Sequence, residues 1–193
     1  SSQFAIFERL NTTSTSLSPQ EIRAAIYGGE FNSLLEDLNT NADWRELFGK
    51  TNPRKRDQEL ILRFLALHYG IAAYRPPMKE FLNDFMRRNR YLQIYPEAEI
   101  RSLFEGTMSL ILEKLGSKAF KPQRAVNAAL LDSLSIGIAG RLDKGSICSD
   151  LRREYEGLLN DESFRIAIYA GTAQSDNVRT RVSLAIDAFA DVE

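Results

Sequence analysis

From residue 18 onward the apolar positions return at three- and four-residue intervals, the spacing that builds one face of a helix. Ser18-Pro19-Gln20-Glu21 is the first start signal. A serine followed three residues later by glutamate predicts a capping box, and proline is tolerated at the first helical position because its missing N–H has no partner there anyway. Gly28-Gly29 mark the end of that helix. Further helices are predicted over 31–38, 43–48, 57–69, 79–89, 96–115, 123–142, 149–159, 162–169 and 176–190. Several carry their own punctuation: Asp57 as a cap, Gly70 and Gly116 as stops, Tyr74-Arg75-Pro76-Pro77 as a rigid connector. The segment 123–142 is rich in Ala and Gly, which predicts close packing against its neighbours. No alternating strand pattern follows residue 10, and no fixed-period repeat or low-complexity linker breaks the chain. The expected architecture is all-α, a multi-helix bundle preceded by a short N-terminal arm. The arm's apolar run, Gln3–Phe7, is too short to assign to helix or strand.

Composition narrows this reading without changing it. The 193 residues suit one domain with an arm, and 44% hydrophobic with 26% charged residues is the balance of a globular protein. No apolar run approaches the ~20 residues of a membrane span. Ser1-Ser2-Gln3-Phe4 lacks the basic and apolar regions of a signal peptide. The single Cys148 cannot form an internal disulfide. The expectation is a cytoplasmic protein with no membrane partner. One His and one Cys argue against a structural zinc site within the chain, which needs about four N or S ligands. No metal site and no catalytic residue is assigned.

A formal net charge of −1 does not advertise nucleic acid, so any such contact must come from a local patch. The densest basic clusters are Arg54-Lys55-Arg56 and Arg87-Arg88-Asn89-Arg90. As nucleic-acid contacts, Arg54, Lys55, Arg56, Arg87, Arg88 and Arg90 would grip phosphates, with Tyr91 placed to stack on a base. As plain structure they are solvated helix ends, the second cluster complementing a helix C-terminal dipole. His68 lies among Leu65, Leu67 and Tyr69 and reads as a core or capping histidine. Glu8, Glu21 and Glu30 are either magnesium ligands beside a nucleotide or ordinary surface carboxylates. Trp44 and the Phe and Tyr residues read as core.

One segment carries more specific information. Phe7-Glu8-Arg9-Leu10-Asn11, followed by Leu17-Ser18 and Glu21-Ile22, resembles the F-x-R-L-N…L-S-x-x-E-I motif near the end of the ParB/sulfiredoxin-like domain of GmrSD-type, modification-dependent restriction proteins. Glu59–Leu67, Met78–Met86, Asp161–Arg165 and the closing Thr172…Val182 resemble the helical region that follows it. The resemblance implies that residues 1–29 are the terminal segment of a truncated α/β domain and 30–193 a helical domain. It further implies the helical portion of a nucleotide-dependent (type IV) DNA restriction or anti-phage defence protein. The full-length member would be an NTP-dependent nuclease component, with NTP and magnesium as its cofactors. The family's Asp-Gly-Gln-Gln-Arg motif and His/Asn nuclease motif are both absent here, so this chain alone is expected to be inactive. Arg9, Asn11 and Thr12 become the candidate nucleotide or phosphate contacts. Thr13-Ser14 stand where relatives often carry two glycines, which makes close backbone approach to a phosphate harder. Without the family, the same residues support an anion site at the helix start or a simple Asx turn and cap. Phe4, Ile6 and Phe7 are expected to pack on the bundle, on the missing half or on another chain. The alternative function is a non-catalytic helical interaction or dimerisation module.

Overall fold

The structure, a computed structural model, describes residues 4, 6, 17–145, 147 and 149–192. Among these there are ten α-helices and no strand. They are α1 (Pro19–Ile26), α2 (Glu30–Leu38), α3 (Ala42–Phe48), α4 (Arg56–Gly70), α5 (Met78–Arg88), α6 (Glu97–Leu115), α7 (Ala128–Leu142), α8 (Arg152–Asn160), α9 (Glu162–Tyr169) and α10 (Ser175–Phe189). The protein is therefore an all-α bundle.

Side-chain caps account for four of the ten described helix starts. Ser18 Oγ accepts from the Glu21 N–H at 3.1 Å, and the Glu21 carboxylate accepts from the Ser18 N–H at 2.6 Å, completing the capping box of α1. That N–H, first among several influences, holds the Glu21 carboxyl below its ordinary value. Asn41, Asn127 and Asp161 cap α3, α7 and α9 through their side chains. Ser18→Ala should lower stability by about 1 kcal/mol. A fall in the denaturant midpoint of that size at unchanged helicity would agree; no change would mean that the box holds nothing in place.

Several expected boundaries move. Asp57 does not cap α4. Lys55 occupies that position, with φ 54°, and Asp57 is fully buried inside the first turn of the helix. Its carboxylate accepts from Asn39 Nδ2 at 3.1 Å, Arg45 at 3.0 Å and the Asn52 N–H at 3.1 Å, while Asn39 Oδ1 accepts from the indole of the core residue Trp44 at 2.9 Å. Gly70 does not stop the helix but belongs to it, and a 3₁₀ turn, Ile71–Ala73, follows. Residues 123–127 stay outside α7, which begins where Asn127 caps the Ala129 and Leu130 N–H groups.

Helix α7 is the centre of the bundle. Every residue from Ala129 to Ala139 is buried, against α10 above all and against α4, α6 and α9. Its small residues set the approach: a Cβ on Gly137 would lie 2.6 Å from the carbonyl oxygen of Ala185 in α10. A buried ion triad ties three helices together. Arg63 of α4 holds Asp132 of α7 through two nitrogens, at 2.6 and 3.3 Å, and Arg181 of α10 meets the same carboxylate at 3.3 Å. Asp132 and Arg181 are wholly buried. Burial works against the charge of both arginines. The two-nitrogen contact with Asp132 holds the Arg63 guanidinium above its ordinary value, whereas Arg181, with one long contact and Arg63 nearby, is held below it.

Helix α1 docks on α4 and α5 through Arg23, which is buried yet charged. Arg23 donates to Asn83 Oδ1 at 2.9 Å and Gln20 Oε1 at 3.0 Å, and pairs with Glu59 at 2.8 Å. Its guanidinium lies 6.0 Å from the Phe4 ring, over which the Lys79 ammonium also sits at 5.6 Å. Of the three arm residues expected to seek a partner surface, Phe4 is buried, Ile6 is 54% exposed, and Phe7 lies outside the described residues.

Candidate nucleic-acid interface

Arg9, Asn11 and Thr12, the candidate nucleotide contacts, lie outside the described residues, as do Glu8, the Thr13-Ser14 pair and Cys148. The two basic clusters are described, and the fold places them at opposite ends of α1. Ser18 Oγ, at its start, donates to the Arg54 carbonyl at 2.8 Å; the Gly28 carbonyl, at its end, accepts from Arg90 Nε at 2.7 Å. Eight residues at 1.5 Å each make that helix about 12 Å long.

The first cluster sits on the loop before α4. Asn52 Oδ1 accepts from the Arg54 N–H at 2.9 Å, an Asx-type turn that forms the loop. Arg54 faces Glu21 at 3.5 Å and Lys55 pairs with Glu36 at 2.9 Å. Arg56 is exposed and meets no carboxylate among the described residues.

The second cluster closes α5. Arg87 and Arg88 each reach Asp84 at 2.7 Å, so two guanidiniums share one carboxylate. Their side chains are 60% and 62% exposed. Arg90 differs from its neighbours: besides holding Gly28 it lies 5.3 Å from the Tyr91 ring, and its carbonyl accepts from the Phe31 N–H at 3.2 Å. A Cβ on Gly29 would come within 2.8 Å of that carbonyl, so glycine is required for the α1–α2 link to pass so close. Tyr91 is 55% exposed.

Beside Arg88 opens a cavity of about 310 Å³ between the end of α4, α5 and the segment 89–95. Tyr69, Phe81, Phe85 and Tyr95 form its walls, with Asp84, Arg88 and Ile94 among its other lining residues. Sequence reasoning assigned these aromatics to the core. Their periodicity carries no signal that Tyr69 and Tyr95, 26 positions apart, stack at 3.9 Å. A second cavity of about 430 Å³ lies on the other side of Tyr69, where His68, Glu99, Ser102 and Asp143 gather. Burial, with Glu99 nearby, pushes the Tyr69 phenol well above its ordinary value. Glu21 belongs to the cap of α1, and no group of three His, Cys, Asp or Glu converges as a metal site among the described residues.

His68 is half-buried and packs edge-on to Phe64 and Tyr69. Burial lowers its pKa below the ordinary 6.5, although Asp143 and Glu99 act in the other direction. Between the lowered folded value and the unfolded value the unfolded chain binds more protons, so stability rises with pH across that window. The neutral imidazole therefore imposes no penalty above about pH 6.5 and destabilises the fold as pH falls below it. The stability difference between wild type and His68→Gln should shift against the wild type on going from pH 7 to pH 5. A constant difference over that range would show that His68 titrates as it does in the unfolded chain.

No helix among the described residues is long and apolar enough to cross a membrane. Comparison with protein-family models, with curated proteins and with solved structures finds nothing that matches this chain.

Proposed function

We propose that this chain is the helical portion of a GmrSD-like, DNA-directed restriction or anti-phage defence protein, and that Arg87 and Arg88 are its principal phosphate contacts. The motif over Phe7–Ile22 supports the family. The observation that supports the contact is the imbalance at the end of α5. Two well-exposed guanidiniums share the single carboxylate of Asp84, so the patch keeps an excess positive charge on adjacent residues, whereas in the other cluster Arg54 and Lys55 are less exposed and each face a carboxylate of their own, leaving Arg56 alone without one among the described residues. A guanidinium presents a planar fork that matches phosphate oxygens, and a surface ion pair is weak enough to open for a better anion.

The role is binding rather than chemistry; nucleotide hydrolysis and strand cleavage belong to the parts of the family that carry the Asp-Gly-Gln-Gln-Arg and His/Asn motifs. Binding of a labelled DNA by this chain, followed by fluorescence anisotropy over a series of salt concentrations, tests the reading. Each phosphate contact contributes a slope of about −0.9 for duplex and about −0.7 for single strands in log K against log salt. Arg87→Ala/Arg88→Ala should therefore weaken binding and flatten the slope by about 1.4–1.8. Unchanged affinity and slope in that variant would remove the cluster from the interface.

A further inference from the structure

A groove of about 280 Å³ runs between the 3₁₀ turn Ile71–Ala73 and α10. Ile71, Ala72, Val182 and Ile186 give it an apolar lining, and Ile186 is 42% exposed. Arg179 lines it too, and this exposed guanidinium meets no carboxylate among the described residues. An apolar groove beside an unpaired cation fits an apolar side chain that stands next to a carboxylate. The same chain carries that combination on α9. Glu162, Ile166 and Tyr169 stand at i, i+4 and i+7, so they share one stripe of the helix. Ile166 is 54% exposed and Tyr169 51%, and Glu162 is exposed with no cation paired to it among the described residues. On the opposite side of α9, Phe164, Ala167 and Ile168 are buried in the bundle. Turning the stripe into the groove of its own chain would pull those residues out, so a stripe that fills the groove comes from another molecule.

We propose that two copies of this chain associate about a two-fold axis, the α9 stripe of each seated in the groove of the other. The two surfaces agree in register. Glu162 to Tyr169 spans seven positions and so does Arg179 to Ile186, about 10.5 Å of helix in each case. An alignment that sets Glu162 of one copy against Arg179 of the other places Ile166 opposite Val182 and Ser183, and Tyr169 opposite Ile186. Both surfaces are also fixed to the start of α10. Asn177 Nδ2 donates to the Ala170 carbonyl at 2.8 Å, just past the end of α9, and the Tyr74 hydroxyl, just past the 3₁₀ turn, donates to the Ala173 carbonyl at 2.6 Å. Two-fold symmetry makes each contact twice, so one charge pair and one apolar set become two of each. A different protein would have to supply the carboxylate and the apolar pair at this spacing; a second copy has them already. Neither Arg87 nor Arg88 belongs to either surface, so the dimer does not depend on the DNA-binding reading.

Sedimentation equilibrium of the whole chain, from low micromolar to millimolar concentration, tests this. Wild type should pass from monomer to dimer within that range, as a small interface predicts. Ile166→Lys and Ile186→Lys, both at exposed positions, should keep the circular dichroism of wild type. Each should weaken the dimer at least about 10-fold, because each sets a charge in an apolar contact. Charge reversal identifies the pair. Glu162→Arg alone and Arg179→Glu alone set like charges against each other in both contacts of a dimer, so each should weaken self-association. An equimolar mixture of those two variants should recover it, because both contacts of a mixed dimer then join opposite charges. A chain that is monomeric at every concentration overturns the proposal. So does a dimer that survives Ile166→Lys and Ile186→Lys in the folded protein, or a mixture that associates no better than its separate components. Capture of a synthetic acidic amphipathic peptide by a chain that stays monomeric, abolished by Ile186→Lys, likewise overturns the second copy and assigns the groove to another protein.

Discussion

Asp132→Ala should destabilise the protein by about 3–5 kcal/mol, the cost of leaving a buried charge without its partner. The carboxylate answers two guanidiniums at once. Arg63 keeps some exposure at its edge, but Arg181 is wholly buried, and its remaining bond is from one terminal nitrogen to the Thr172 carbonyl at 2.7 Å. Arg181 Nε already has no acceptor, and the buried Ser135 Oγ, one turn along from Asp132, has no partner either. Removing Asp132 leaves two positive groups facing each other among α4, α7 and α10 with no anion between them. Against a total stability of roughly 5–15 kcal/mol for a domain, that is a large fraction. Chemical denaturation followed by circular dichroism measures it. A loss below about 1 kcal/mol would place the triad with exposed surface pairs and contradict its burial. A double-mutant cycle with Arg181→Met should show strong coupling, because in the methionine variant the carboxylate answers Arg63 alone.

The second large effect concerns a single methyl group. Alanine is favoured over glycine inside a helix by about 1 kcal/mol, so Gly→Ala in α7 should stabilise wherever space allows. Gly140 has that space, since a Cβ there would meet nothing within 4 Å, and Gly140→Ala should raise stability by up to about 1 kcal/mol. Gly137 lies one turn earlier on the same helix, where the Cβ would be 2.6 Å from the Ala185 carbonyl oxygen and 2.8 Å from its carbon. These are backbone atoms and cannot rotate away, so α7 and α10 must separate. Overpacking of this kind costs about 1–3 kcal/mol. Gly137→Ala should therefore destabilise while Gly140→Ala stabilises, an inversion of sign between two chemically identical changes. Equal shifts at the two sites would show that the close approach of α7 and α10 is not the constraint.

The candidate interface divides along a similar line between local and distant information. Arg87 and Arg88 are legible as a cluster because charge density needs only neighbouring letters. Their shared Asp84 is legible too, since three- and four-residue spacing puts it on the same helix face. Arg90 sits in the same cluster, yet its guanidinium turns back to Gly28, 62 positions earlier. Nothing in the run Arg87-Arg88-Asn89-Arg90 distinguishes it. The aromatic cavity is less legible still. Tyr69 and Phe85 satisfy the pattern of a buried stripe and Tyr95 falls between two predicted helices, and an aromatic residue reads alike whether its far face meets a core residue or an opening.

What the sequence determined by itself is the set of helices. Ser18 with Glu21, Asn127, Asp161 and the recurring apolar stripes act within four or five residues of where they stand, and the hydrogen bonds they direct are equally local. The all-α architecture follows from them without reference to anything distant. The tertiary structure alone decided that Asp57 is a buried hub rather than a cap, that Arg63 meets Asp132 across 69 positions, and that the rings of Tyr69 and Tyr95 stack. The reason is physical. A cap needs one turn of backbone, whereas a buried carboxylate or a cavity wall exists only once several helices exclude water from the same place.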